Sequence, residues 1–161
     1  MTAVVGFNLV ASTIFGSFLI DRLGRRAILL LGDVVCLVAL LGLSLLTSLS
    51  AESSDLITLL IMIFVFGFSI SLGPIVWSYI AEILPAKGNV ITTIFNLLLC
   101  SSTGLVFPMQ LRDLKIEGCF ILHFAISSLL FLVILVFVKE TKGKSTKEIN
   151  DMFEGKYHKI T

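Results

Sequence analysis

Charge is what this sequence has least of. Charged side chains make up 14% of its 161 residues, against about a quarter in a soluble domain, and that shortage excludes a solvated globular body. Cysteine is also sparse. Cys36, Cys100 and Cys119 are odd in number and scattered, with neither disulfide-framework nor zinc spacing, so they read as small apolar filler. No Asn-x-Ser/Thr acceptor occurs. G-x-S-x-G, H-E-x-x-H and glycine-rich phosphate loops are likewise missing, and His123 and His158 are far apart in the chain. An enzyme is therefore not expected, and no metal, cofactor or nucleic-acid partner is called for.

What is present is apolar: 57% of the residues, with a mean hydropathy of +1.04. The apolar residues fall in blocks near the ~20 residues needed to cross a bilayer. Five are read, at 2–20, 27–49, 56–81, 90–109 and 118–138. The fold class is an all-α polytopic membrane protein in the lipid bilayer, with residues 1–138 as the membrane part and 139–161 as a tail.

Cations set its orientation. Arg22, Arg25 and Arg26 lie between the first two blocks, Lys87 between the third and fourth, and six lysines after the fifth. The loop at 50–55 has no cation, and the two in 110–118 are offset by Asp113 and Glu117. The positive-inside rule then puts the first loop, the third loop and the tail in the cytoplasm. Met1 falls outside with no cleavable signal ahead of it, so a further span is expected upstream and the chain reads as a fragment.

Polar residues are unequally shared. Asn8, Ser12 and Gly16 recur at helical spacing in the first block, and Asn96, Cys100, Thr103 and Gly104 share a face in the fourth, which is expected to end at Pro108. The second and fifth blocks are nearly all aliphatic. Blocks one, three and four are therefore expected to be central, and two and five peripheral. Small and hydroxyl residues on such stripes serve helix packing, whereas the Asn96 amide stays open between a structural bond and a ligand contact.

The stretch SISLGPIVWSYIAEILP (69–85) interrupts the third block. Pro74 cannot donate a backbone hydrogen bond, so the carbonyl near residue 70 loses its partner, and Gly73 adds freedom at the same point. In a bilayer such a break is tolerated where neighbouring helices or a watery cavity satisfy the freed groups, as at transporter binding sites. Trp77, one turn on, offers a flat apolar face and one N–H donor, which suits a sugar ring. Glu82 ends the block on the side of DRLGRR (21–26), where a carboxylate within reach of guanidinium forks forms a charge network. Asp33, two turns into the second block, is expected to snorkel to the cytoplasmic side or to pair with a loop arginine. In the tail, Ser145 to Glu148 reads as a capping box, and Ile149, Met152 and Phe153 give a short amphipathic helix.

Three motifs fall in order: DRLGRR (21–26), GPIVWSYIAEILP (73–85) and ETKGKSTKEI (140–149). Together they resemble the C-terminal half of the sugar porter family of the major facilitator superfamily, helices eight to twelve of twelve, over essentially the whole chain. The resemblance implies five transmembrane helices of the C-terminal bundle plus a short cytoplasmic amphipathic helix. It also implies transport of a hexose or similar sugar by alternating access, with the missing N-terminal half of the carrier as partner; the plasma membrane is expected ahead of an internal one. Trp77 and Asn96 match sugar-contacting positions. Ser69, Cys100 and Asn8 fall at or beside further such positions, with Cys100 where many members carry asparagine and Leu97 where many carry tryptophan. Asp21, Arg22, Arg25, Arg26, Glu82 and Glu140 fall in the cytoplasmic charge network, and Gly73 with Pro74 forms the helix break. Lys139 replaces the proline that opens the family's last motif. The competing expectation is a non-transporting membrane remnant or interaction partner derived from such a carrier.

Overall fold

A computed structural model describes residues 2–49 and 54–153, and all of its regular elements are helices: α1 (Thr2–Leu23), α2 (Arg25–Ser48), α3 (Ser54–Ile70), α4 (Pro74–Ile83), α5 (Ala86–Phe137) and α6 (Thr146–Phe153). The apolar blocks became helices because backbone polar groups away from water must be bonded within the segment. Arg25–Ser48, Ser54–Ile83 and Ala86–Phe137 are long and apolar enough to cross a membrane, and Gly6–Ile20 is a shorter apolar helix.

The third block is split where its sequence demands. The α3 helix ends at Ile70, and Pro74 starts α4 at the first helical position, where a missing N–H costs nothing. Between them the Gly73 N–H donates to the Phe68 carbonyl at 2.9 Å, a wide turn that replaces one regular bond.

The fourth and fifth blocks are not separated by a loop at 110–118, as the charges there suggested. Helical geometry runs through Pro108 to residue 114 and resumes at 116, with one non-helical residue, Lys115 (φ 57°, ψ 178°). The helix survives Pro108 because only one intrahelical bond is lost there, while unwinding in apolar surroundings would free many more. Lys115 reverses the chain. Thr92 and Ile134 line the same cavity, yet a straight helix would hold residues 42 apart at about 63 Å. Two arms therefore run side by side, 86–114 and 116–137.

Packing corrects the expected peripheral place of α2, whereas the third and fourth blocks share a cavity wall as expected. The aliphatic α2 is the hub, burying Ile28, Leu29, Gly32, Asp33, Cys36, Ala39, Leu40, Leu43 and Ser44, whereas the first arm of α5 buries no described residue. A core of Ile28, Leu29, Ile70, Ile75 and Ile134 joins α2 to α3, α4 and the second arm. At Gly16 an added Cβ would meet the Ile70 backbone at 3.0 Å, so this position lets α1 approach α3 closely. The hydroxyls of the α1 stripe turn inward on their own helix: Ser12, Thr13 and Ser17 donate to the carbonyls of Asn8, Leu9 and Thr13 at 2.6, 2.8 and 3.0 Å.

Asp33 neither snorkels nor meets an arginine. It is fully buried, and its Oδ1 accepts a 2.6 Å hydrogen bond from Ser127 on α5. The side chain points sideways between two helices, so its carboxyl finds a hydroxyl at its own depth.

Candidate functional site

Three chain segments meet at one end of the bundle: the Gly24 turn, the end of α4, and residues 139–142 after α5. Arg25 donates from both Nε and Nη2 to Glu82 Oε1, at 3.1 and 2.8 Å, and Glu82 Oε2 accepts from Thr141 Oγ1 at 2.6 Å. Glu140 caps the start of α2. Its Oε1 accepts from the N–H groups of Arg25, Thr141 and Lys142 at 3.0, 3.1 and 3.0 Å, and its Oε2 from that of Arg26 at 3.1 Å. A carboxylate here meets the unbonded donors and positive dipole end of the helix. Burial pushes the Glu140 carboxyl up, but the four backbone N–H donors outweigh it and hold it below its ordinary value.

The turn accommodates this only because residue 24 is glycine. Its φ of +90° is closed to most side chains, and an added Cβ would lie 2.6 Å from Glu140 Oε2.

The remaining network candidates separate. Arg26 Nη2 donates to the Leu135 carbonyl at 2.8 Å instead of to a carboxylate. Arg22 joins through its backbone carbonyl, which accepts from Lys142 Nζ at 2.7 Å. The side chain of Asp21 lies outside the described residues. Thr141, 2% exposed, is a cluster member that the charge pattern did not signal, although it follows Glu140 directly in the third motif.

The tail folds onto the same end. Ser145 and Glu148 form the expected reciprocal cap, with Ser145 N–H and Oγ donating to Glu148 Oε2 at 2.7 and 2.8 Å, and Ile149 and Met152 are buried. Lys139 ties α6 down. Its Nζ donates to the Met152 carbonyl at 2.9 Å and sits 5.2 Å above the Phe153 ring, while its backbone N–H donates to Tyr79 Oη at 3.1 Å.

Above this end, α4 and the two arms of α5, with Leu29 and Phe68, line an open-sided cavity of about 630 Å³. Gly73, Trp77, Asn96 and Cys100 all line it, with Tyr79 and Thr92 as polar neighbours that the sequence reading did not single out. Thr92 shares the helical spacing of Asn96 and Cys100, so that signal was available. Two other candidates lie elsewhere. Asn8 donates from Nδ2 to the Met62 carbonyl at 3.0 Å, joining α1 to α3, and Ser69 is buried with no hydrogen-bond partner among the described residues.

A bundle of bilayer-length helices, broken at a Gly-Pro step and pinned at one end by charge, defines a polytopic α-helical membrane protein. The chain belongs to the sugar (and other) transporter family, whose model it matches over residues 1–153. It is 32% identical over 165 residues to a probable metabolite transport protein, CsbC, of Bacillus subtilis, covering 98% of this chain and 36% of that protein. It is 32% identical over 156 residues to the arabinose-proton symporter of the same organism, covering 94% and 34%. To the facilitated trehalose transporter Tret1 of Anopheles gambiae it is 29% identical over 170 residues, covering 99% and 21%. The chain thus spans about a third or less of the length of these relatives.

Among solved structures it resembles the proton:xylose symporter XylE bound to 6-bromo-6-deoxy-D-glucose, with a TM-score of 0.86 and 22% identity over 94% of this chain and 34% of that one. The inward-open form of XylE from E. coli gives a TM-score of 0.84 and 24% identity over 92% and 34%. At that identity the likeness is one of fold.

Proposed function

We propose that this chain supplies the C-terminal helices of a sugar carrier that moves a hexose or similar sugar by alternating access, with an N-terminal half as its partner. Residues 1–138 form the membrane part and 139–161 the cytoplasmic tail, and the plasma membrane is the proposed location. The observation that carries the reading is the convergence of Trp77, Asn96 and Cys100 on one cavity beside the Gly73–Pro74 break. An indole face stacks on the C–H face of a pyranose, and an amide donates to one hydroxyl while accepting from the next. The cavity is within the roughly 300–1,000 Å³ range of small-ligand sites. The Arg25–Glu82–Thr141 and Glu140 contacts, at the cytoplasmic end, brace one of the carrier's conformations and part in the other.

The test uses the one tryptophan of the chain as reporter. D-Glucose titrated in lipid nanodiscs onto the chain joined to an N-terminal half whose own tryptophans are replaced should change Trp77 emission saturably. Asn96→Ala should weaken that binding by about tenfold or more, since it leaves sugar hydroxyls unpaired. Leu105→Ala, on the exposed side of the same arm, should not. Emission insensitive to every hexose would sink the sugar reading, and equal binding by the two variants would remove Asn96 from the site.

A further inference from the structure

We infer that Cys100 makes this cavity selective for a sugar lacking one hydroxyl, a monodeoxy or otherwise locally apolar monosaccharide. The inference rests on the reading of the cavity as a sugar site and sharpens its substrate class. Thr92, Asn96 and Cys100 stand at i, i+4 and i+8 on the first arm of α5 and all line the cavity, so hydrogen-bonding strength varies along one stripe.

At the Thr92 level there is a hydroxyl, already donating to the Gly88 carbonyl at 3.0 Å and left to accept, with the Tyr79 hydroxyl also on the wall. At the Asn96 level there is an amide whose two N–H groups make no bond within the described residues, and whose Oδ1 faces the Cys100 Sγ at 3.8 Å. At the Cys100 level there is a thiol, a weak donor and weak acceptor, and the cavity wall contributed by the second arm is aliphatic: Leu130, Val133 and Ile134.

One helical turn, about 6 Å, separates the Asn96 level from the Cys100 level, which is close to the breadth of a pyranose ring. In the pose proposed, a ring stacked on Trp77 and bonded to Asn96 turns one of its carbons toward the thiol and the aliphatic wall of the second arm. A hydroxyl on that carbon leaves water for a poor partner, whereas a C–H or methyl there loses nothing and gains apolar contact. An apolar pocket of this kind discriminates against an added hydroxyl by at most about a hundredfold, so the preference is moderate.

The experiment titrates the same carrier, completed with its tryptophan-free N-terminal half, in nanodiscs with D-glucose and with its 2-, 3-, 4- and 6-deoxy forms, following Trp77 emission. At least one monodeoxy sugar should bind about tenfold tighter than D-glucose. Cys100→Asn, which puts a full donor and acceptor at that level, should abolish the preference by tightening D-glucose. Cys100→Val, which keeps the level apolar, should retain it and guards against a general effect of substitution. Equal affinities for all five sugars, unchanged by Cys100→Asn, would overturn the inference while leaving the sugar site standing. No response to any of the five would mean that the sugar reading itself is wrong, and the inference with it.

Discussion

Ser127 Oγ sits 2.6 Å from Asp33 Oδ1 and gives that fully buried carboxyl its hydrogen bond across the α2–α5 interface. Asp33 Oδ2 has no partner among the described residues. A buried polar group held by one donor depends on it heavily, because losing the donor exposes the full cost of desolvation. Ser127→Ala should therefore destabilise the chain by about 1–3 kcal/mol, read as a lower unfolding midpoint in mild detergent. The pair Asp33→Val with Ser127→Ala should be less harmful than Ser127→Ala alone, since both polar partners then go together. If Ser127→Ala unfolds with the wild-type midpoint, this bond does not hold α2 to α5.

Gly24 and Glu140 fit each other like a turn and its cap. Gly24→Ala meets two obstacles, a φ of +90° with ψ 161° and a Cβ 2.6 Å from the Glu140 carboxylate. Backbone in this region costs a non-glycine residue on the order of 1–3 kcal/mol before any clash. Gly24→Ala should accordingly loosen the start of α2, seen as faster amide hydrogen exchange at Arg25 and Arg26. Adding Glu140→Ala should give a sub-additive loss of stability, because the clash has then been removed already. Strict additivity would mean that the two residues act independently.

The depressed Glu140 carboxyl gives stability a defined pH arm. Its folded value lies below the ordinary 4.5, so the stabilisation is fully present above 4.5 and is lost as pH falls through the folded value. Wild-type chain should lose stability on acidification below about pH 4.5 more steeply than Glu140→Gln, with the gap between them constant near neutrality. Parallel curves down to the acid limit would exclude Glu140 as the source.

Much of this was legible in the sequence, for physical reasons that also explain the failures. A bilayer imposes a length on its helices, and proline imposes a break, so the apolar blocks and the Pro74 step followed from local pattern. The pairing of Arg25 with Glu82 followed from charge kept to one end, whereas Glu140 joined them only through the resemblance of the third motif to its family. The centrality of α2 did not, because an aliphatic helix suits lipid tails and protein neighbours equally. Asp33 and Ser127 lie 94 positions apart, and no periodicity links them. The reversal at 115 was hidden by its economy. Arg112 and Asp113 look like a surface loop, yet they pair with each other at 2.9 Å on a helix that a single residue then turns.

Orientation is directly testable. The positive-inside rule predicts a cytosolic location for the end that carries Arg22, Arg25, Arg26 and the tail lysines. A cysteine at Ser53 should react with an impermeant reagent from the extracytoplasmic side, and one at Lys144 only from the cytosolic side. Labelling of both from the same side would break the alternation of spans.

Lys115 carries the last expectation. With φ 57° and ψ 178°, it is the one described non-glycine residue at positive φ, in a region that favours glycine, and the pairing of the two α5 arms depends on it. Lys115→Gly should keep the reversal and stabilise it by about 1–2 kcal/mol, the scale of the Cβ penalty at positive φ. Lys115→Pro fixes φ near −65° and should abolish the reversal, separating Thr92 from Ile134. A cysteine pair at those two positions, joined by a short bifunctional reagent, would report the change. Cross-linking should persist in Lys115→Gly and vanish in Lys115→Pro. Retention of the cross-link in Lys115→Pro would show that packing of the arms, not the backbone at 115, sets the turn.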